Sequence, residues 1–154
     1  MGLQPPRIYF EDMDLGEEFT SPGRTVTEAD VVNYAAFSGD WNQFHVNEEF
    51  AKKSVFGQRV AHGPLGVAIQ PSMTLRTAFG FAEIVAMLGM AWRFVGPIRI
   101  GDTLWIWSKV VEKRETKKPD RGIVVFKRHL FNQRQEVVQE GEVTFMIGRR
   151  PVEP

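Results

Sequence analysis

After a Gly63-Pro64 break the chain reads apolar almost all round, and then its hydrophobic period changes to two. Leu65, Val67, Ala68, Ile69, Met73, Leu75, Ala78 and Phe79 leave no polar face, so the segment is expected as a buried helix. Proline suits the first helical position, where its missing N–H has no partner to lose. Pro71, further in, is expected to kink the helix or mark a restart. From Glu83 onward Met90, Trp92 and Phe94 alternate with Ala91, Arg93 and Val95, and Leu104, Ile106 and Ser108 alternate with Trp105, Trp107 and Lys109. Ile123 to Phe131 and Glu136 to Ile147 are rich in Val, Ile and Phe. Turn signals at Gly96-Pro97, Gly101-Asp102, Pro119 to Gly122 and Asn132 to Gln135 divide these runs into four successive antiparallel strands. A first strand over Glu17 to Val26, broken by Pro22-Gly23, makes five. The fold class is α+β: a sheet wrapped on one buried helix.

With 154 residues the chain is long enough for one domain with a substantial core, spanning 1–154 with a loose lead-in over 1–9. Its 19 Lys and Arg against 19 Asp and Glu leave no basic block of the size nucleic acid favours. The densest cluster, Lys113 to Arg121, also carries acids and a proline and reads as an exposed turn. There are no cysteines, which removes disulfides and thiolate metal sites. No apolar signal segment opens the chain, and Phe79 to Trp92 is too short for a membrane span. The expectation is a cytoplasmic protein without a membrane partner. An aromatic content of 12%, with four tryptophans, exceeds what one small domain readily buries and points towards an oligomer.

Thr27 has the marks of a helix N-cap, with Asp30 placed for a capping box and Val26 and Val31 at the staple positions. Val31, Tyr34 and Ala35 form one apolar face, and Gly39 ends the helix by taking the left-handed conformation. Asp40 therefore falls just past a helix end, on irregular backbone that often displays functional side chains. Asn47 caps a second short helix running to Lys53. His45 lies just before that cap, so Asp40 and His45 flank one short loop.

An Asp and a His on one loop can share a water, one taking a proton while the other donates, each role being worth about 10²–10⁴-fold. Taken alone, the pair is more often structural: Asp after Ser-Gly is common in turns, and a His before a cap is often only packed. Gly63 adds a backbone N–H at the start of a buried helix, suited to a developing oxyanion. Its structural alternative is a simple turn glycine.

The run Phe37-Ser38-Gly39-Asp40-Trp41-Asn42-Gln43-Phe44-His45, with Phe50-Ala51, Phe56-Gly57 and Ala61-His62-Gly63 after it, resembles the signature of MaoC-like dehydratases, the (R)-specific enoyl-CoA hydratases. Trp92-Arg93-Phe94, Pro97 and Ile100-Gly101-Asp102-Thr103 resemble that family's later strands, so the similarity covers roughly Phe10 to Gly148. It implies a hotdog fold, a five-stranded antiparallel sheet around a long central helix beginning near Gly63. It implies a homodimer or dimer of dimers whose sheets join edge to edge, with an acyl-CoA thioester bound in a tunnel at the subunit interface. It implies that Asp40 and His45 hold the water added to an enoyl thioester, that the Gly63 N–H polarises the thioester carbonyl, and that Asn42 orders the loop. No cofactor is implied, coenzyme A entering as part of the substrate.

Two positions depart from the family pattern. Gln43 stands where proline is usual, which implies a less rigid loop before His45. Pro64 replaces a larger apolar residue and removes one possible oxyanion donor. His62 borders the oxyanion position and is a candidate substrate contact, although a structural role is favoured. His129 falls in a strand pattern and reads as packing or surface. Three scattered histidines without short ligand spacing argue against a metal site. The cations that meet the CoA phosphates are left open among Arg59, Arg93, Lys109 and others. An acyl-CoA thioesterase and a non-catalytic acyl-CoA-binding or partner subunit are the alternative readings.

Overall fold

The computed structural model of the chain describes residues 6–151. The lead-in expected over 1–9 lies partly outside these residues. Its described part is tied down: Ile8 bridges Ala82, its N–H donates to the Phe81 carbonyl and its own carbonyl accepts from Glu83. A 3-10 turn over Phe10–Asp12 follows and tucks Phe10 and Met13 into the core.

The expected first strand is two short ones, β1 (Glu18–Thr20) and β2 (Arg24–Thr25), separated at Pro22-Gly23. Helix α1 (Glu28–Ser38) starts at the Thr27 cap. The Thr27 side chain accepts from the Asp30 N–H, and Asp30 accepts back from Thr27 at 2.8 Å, completing the capping box. Val26 and Val31 are both buried in one cluster, as staple partners should be. Gly39 closes the helix at φ 75°.

Two one-turn helices come next, α2 (Gln43–Val46) and α3 (Glu48–Ala51), capped by Asn42 and Asn47. His45 thus sits on α2 and not on a loop before a cap. Four residues are too few to show a helical period, so only the Asn42 cap marks α2 in the sequence. Gln43 holds its first helical position, the place where proline costs nothing. Its amide oxygen accepts from Asn47 at 3.0 Å, so a side-chain bond stiffens the segment where the family pattern has a ring.

Helix α4 (Gly63–Thr74) is shorter than its apolar run and has two faces. Leu65, Gly66, Ile69, Gln70 and Met73 are buried, whereas Pro64, Ala68, Pro71 and Ser72 are exposed. The expected all-round burial is therefore wrong for the single chain: the sheet covers one side only. Pro71 neither breaks nor restarts the helix. It lies on the exposed side, where water can take the carbonyl it leaves unpaired. Phe79 belongs to a separate 3-10 turn over Ala78–Phe81 and is buried there.

The long strands β3 (Ile84–Phe94), β4 (Thr103–Glu115), β5 (Arg121–Phe131) and β6 (Val137–Gly148) are antiparallel in the order β1-β4-β5-β6-β3, with β2 also on β4. Five strands form the continuous path and β2 is a two-residue addition. Leu104, Ile106, Leu130 and Val138 face Leu65, Ile69 and Met73 of α4 in the larger core cluster. Among the described residues strand β3 pairs only with β6, and Ile84, Val85, Met87, Leu88, Met90 and Phe94 along it are exposed. Among the described residues no helix is long and apolar enough to cross a membrane.

Candidate active site

The end of α1, the short helix α2 and the start of α4 meet in one place. Gly39 turns the chain so that Asp40 follows the helix end, and the Asp40 carboxylate accepts the Asn42 N–H at 3.1 Å. Asn42 in turn accepts the Phe44 N–H at 3.2 Å, so the Asp40 turn and the start of α2 share one hydrogen-bond chain. On α2, His45 Nδ1 lies 2.7 Å from the Val60 carbonyl oxygen. A carbonyl can only accept, so Nδ1 carries a proton, and in the neutral ring Nε2 holds the lone pair. The fold thereby selects the tautomer in which Nε2 is a base.

His62, the residue before α4, is 1% exposed, and its Nε2 donates to the Asp40 carbonyl at 2.9 Å. Its ring stacks on His45 with centroids 3.8 Å apart and also meets Tyr34 at 4.9 Å. His62, a candidate substrate contact for which a structural role is favoured, touches Asp40, His45 and Tyr34 in the fold. Burial holds its imidazole below the ordinary histidine value, and the neighbouring His45 adds to this, against the opposing pull of Asp40. An unfolded chain takes up this proton near pH 6.5 and the folded one does so only lower. Stability is therefore full above that pH and declines as pH falls through and below it. Thermal melts between about pH 7 and pH 5 should show a steeper loss for the natural chain than for His62→Gln. Equal slopes would remove His62 as the cause.

One ligand atom each from Asp40, His45 and His62 lies within 4.8 Å of the others. Sequence spacing hid this convergence, because His62 arrives from a different element. The geometry suits a shared water: two groups each about 2.8 Å from one water oxygen, at a tetrahedral angle, are about 4.6 Å apart. For a metal, the ring nitrogens that meet Val60 and Asp40 are already committed, and His62 Nδ1 is buried.

His45 and Gly63 both line a cavity of about 480 Å³, a size typical of small-molecule sites. Phe44, Phe56, Val60, Phe94, Ile98 and Gln139 supply most of its remaining wall. Asp40 is exposed and is not part of that wall. The Gly63 N–H is in the first turn of α4 and has no acceptor within the helix. Pro64 offers no N–H, so Gly63 is the first donor of this helix. The cations named for CoA phosphates are engaged: Arg59 pairs with Glu28 and Glu48, Arg93 with Glu140, and Lys109 with Glu18.

The fold is shared with solved structures. The MaoC-like dehydratase from Rhodospirillum rubrum superposes with a TM-score of 0.83 at 31% identity, covering 94% of this chain and 99% of that one. A Mycobacterium tuberculosis protein described as having a double hotdog fold gives a TM-score of 0.80 at 19% identity, covering 96% of this chain and 46% of that one. The chain is thus a hotdog fold of the α+β class. Among curated relatives, an (R)-specific enoyl-CoA hydratase of Rhodospirillum rubrum is 33% identical over 92% of this chain and 93% of its own length. Protein MaoC of Klebsiella aerogenes is 38% identical over 78% of this chain but only 35% of that protein, so this chain spans about a third of it. The model of the MaoC-like domain matches residues 12–128, a stretch that holds Asp40, His45, His62 and Gly63 together, and the chain belongs to the MaoC-like dehydratase family.

Proposed function

We propose that the protein adds water to a 2-enoyl-CoA thioester to give the (R)-3-hydroxyacyl-CoA, and runs the dehydration in reverse. The observation that carries this reading is a His45 ring nitrogen within 4.8 Å of an Asp40 carboxylate oxygen, with His45 and Gly63 both on the wall of one apolar cavity. A water between Asp40 and His45 attacks C3 as the pair takes its proton. Charge moves to the thioester oxygen, where the Gly63 N–H and the α4 dipole stabilise it. The pair then returns that proton to C2. One O–H bond and the C2=C3 π bond break, one C–O and one C–H bond form, and the side chains end as they began. Coenzyme A travels with the substrate and no cofactor takes part in these steps.

The same reading includes a homodimer. Among the described residues strand β3 is a sheet end with an unpaired edge, and its row of exposed apolar side chains fits a second β3 laid alongside it. The aromatic surplus in the sequence agrees with such burial.

The test follows loss of enoyl absorbance with crotonyl-CoA and with longer and branched enoyl-CoAs. Hydration of at least one to the (R)-product supports the reading. Release of free thiol without hydration would make the protein a thioesterase. Binding of CoA esters without turnover until another chain is added would make it a partner subunit.

A further inference from the structure

The Gly63 N–H is useful only if its direction is held, and glycine is the residue least able to hold it. On the loop side, His62 is anchored to the Asp40 carbonyl, and the Ala61 N–H donates to the Ile98 carbonyl at 2.8 Å. On the helix side the anchor comes from the sheet. Gln139 of β6 is 1% exposed, and its Nε2 donates to the Gly63 carbonyl at 2.8 Å. Its Oε1 accepts the Trp92 indole N–H from β3 at 3.0 Å. An indole N–H only donates and a carbonyl only accepts, so the Gln139 amide has one permitted orientation.

Two glycines keep this path open. A Cβ on Gly66 would lie 2.3 Å from Gln139 Nε2, so the amide reaches the first turn of α4 through a slot that only glycine leaves. A Cβ on Gly141 would lie 2.6 Å from a Trp92 ring carbon. The helix start is thus tied to two strands by a relay from Trp92 through the buried Gln139 to Gly63.

We propose that Gln139 is a positioning residue for the reaction, aiming the Gly63 N–H at the thioester oxygen, and that Trp92 orients Gln139. This rests on the reading of Gly63 as the carbonyl donor. Removing an oxyanion donor outright costs about 10²–10³-fold in kcat, so loosening one is expected to cost about 10–100-fold. Gln139→Glu keeps the acceptor for Trp92 and loses the donor to Gly63. Gln139→Met loses both. Either should lower kcat by that amount with KM within about twofold, and Trp92→Phe should lower it less. The double variant Gln139→Met/Trp92→Phe should be no slower than Gln139→Met alone, because the two act through one amide.

The deciding readout is spectroscopic and needs no turnover. A conjugated dienoyl-CoA bound to the Asp40→Asn protein should show a red-shifted absorbance as its carbonyl is polarised. No red shift there would overturn the reading of Gly63 itself. A red shift that survives undiminished when Gln139→Glu or Gln139→Met is added would overturn the positioning proposal and leave Gly63 standing. A shift that collapses while bound dienoyl-CoA remains stoichiometric supports it, since a merely structural Gln139 would change melting temperature without selectively depolarising a bound carbonyl.

Discussion

Replacing Asp40 by Asn, or His45 by Gln, is expected to lower kcat for enoyl thioester hydration by about 10²–10⁴-fold each. Both substitutions keep the local fold. An Asn at position 40 can still accept the Asn42 N–H through its side-chain oxygen, and a Gln at position 45 can still donate towards the Val60 carbonyl. Asn removes the carboxylate proposed to hold the water and its proton, and Gln removes the imidazole proposed as its partner. KM should change much less, since neither group is required to hold the CoA portion. The combined variant should be little slower than the worse single one, because two groups that serve one water fail together. Steady-state kinetics with the best enoyl-CoA checks this. Full rate in either variant would remove that residue from the chemistry.

Replacing Arg128 by Met is expected to stabilise the protein by about 1–3 kcal/mol. Arg128 is 5% exposed, between Ser108 of β4 and Gly141 of β6 in the sheet register, and its Nε has no hydrogen-bond partner among the described residues. Burial alone pushes its guanidinium down from the ordinary arginine value to about 10. That displacement corresponds to roughly 3 kcal/mol. Phe126 and Phe145, each with its ring centre 5.6 Å from the guanidinium carbon, return part of it through cation–π attraction. A folded value below the unfolded one means the unfolded chain binds the proton more tightly. The cost is constant below about pH 10 and fades only as pH rises from there. Melting at neutral pH should therefore show the whole effect, an increase of about 2–10 °C for a chain of this length. A lower melting temperature would mean that the guanidinium is satisfied in the assembled protein.

Local signals were legible where a short segment carries its own instruction. The Thr27–Asp30 box, the Gly39 cap and the Pro22-Gly23 break all appear as the residues announce. The alternation in β4 is equally direct: Leu104, Ile106, Ser108 and Val110 turn inward. The same period misleads in β3. Its alternation is genuine, but neither face is covered in the single chain, because β3 ends the sheet. Apolar content alone also misjudged α4, where Gln70 is buried while Ala68 and Pro71 are exposed. Which side of a helix meets a sheet depends on the partner's position, and hydrophobicity spread all round does not encode it.

Asp40, Asn42, His45 and Gly63 could be named from the sequence because they stand within a compact, recognisable pattern, and capping rules placed each near an element end. Folding decided what each could do. The His45 tautomer depends on Val60, fifteen positions away, and the approach of His62 to Asp40 spans twenty-two. Gln139 reaches Gly63 from a strand seventy-six positions downstream, with no signal in its own neighbourhood. By itself the sequence determined the order of elements, their caps and the residues able to carry acid–base chemistry, since these follow from short-range geometry. Only the tertiary structure decided which histidine nitrogen meets a carbonyl, that the Gly63 carbonyl is held by Gln139 and which apolar faces lie open, since those depend on donors, acceptors and surfaces that meet only after the sheet has folded over α4.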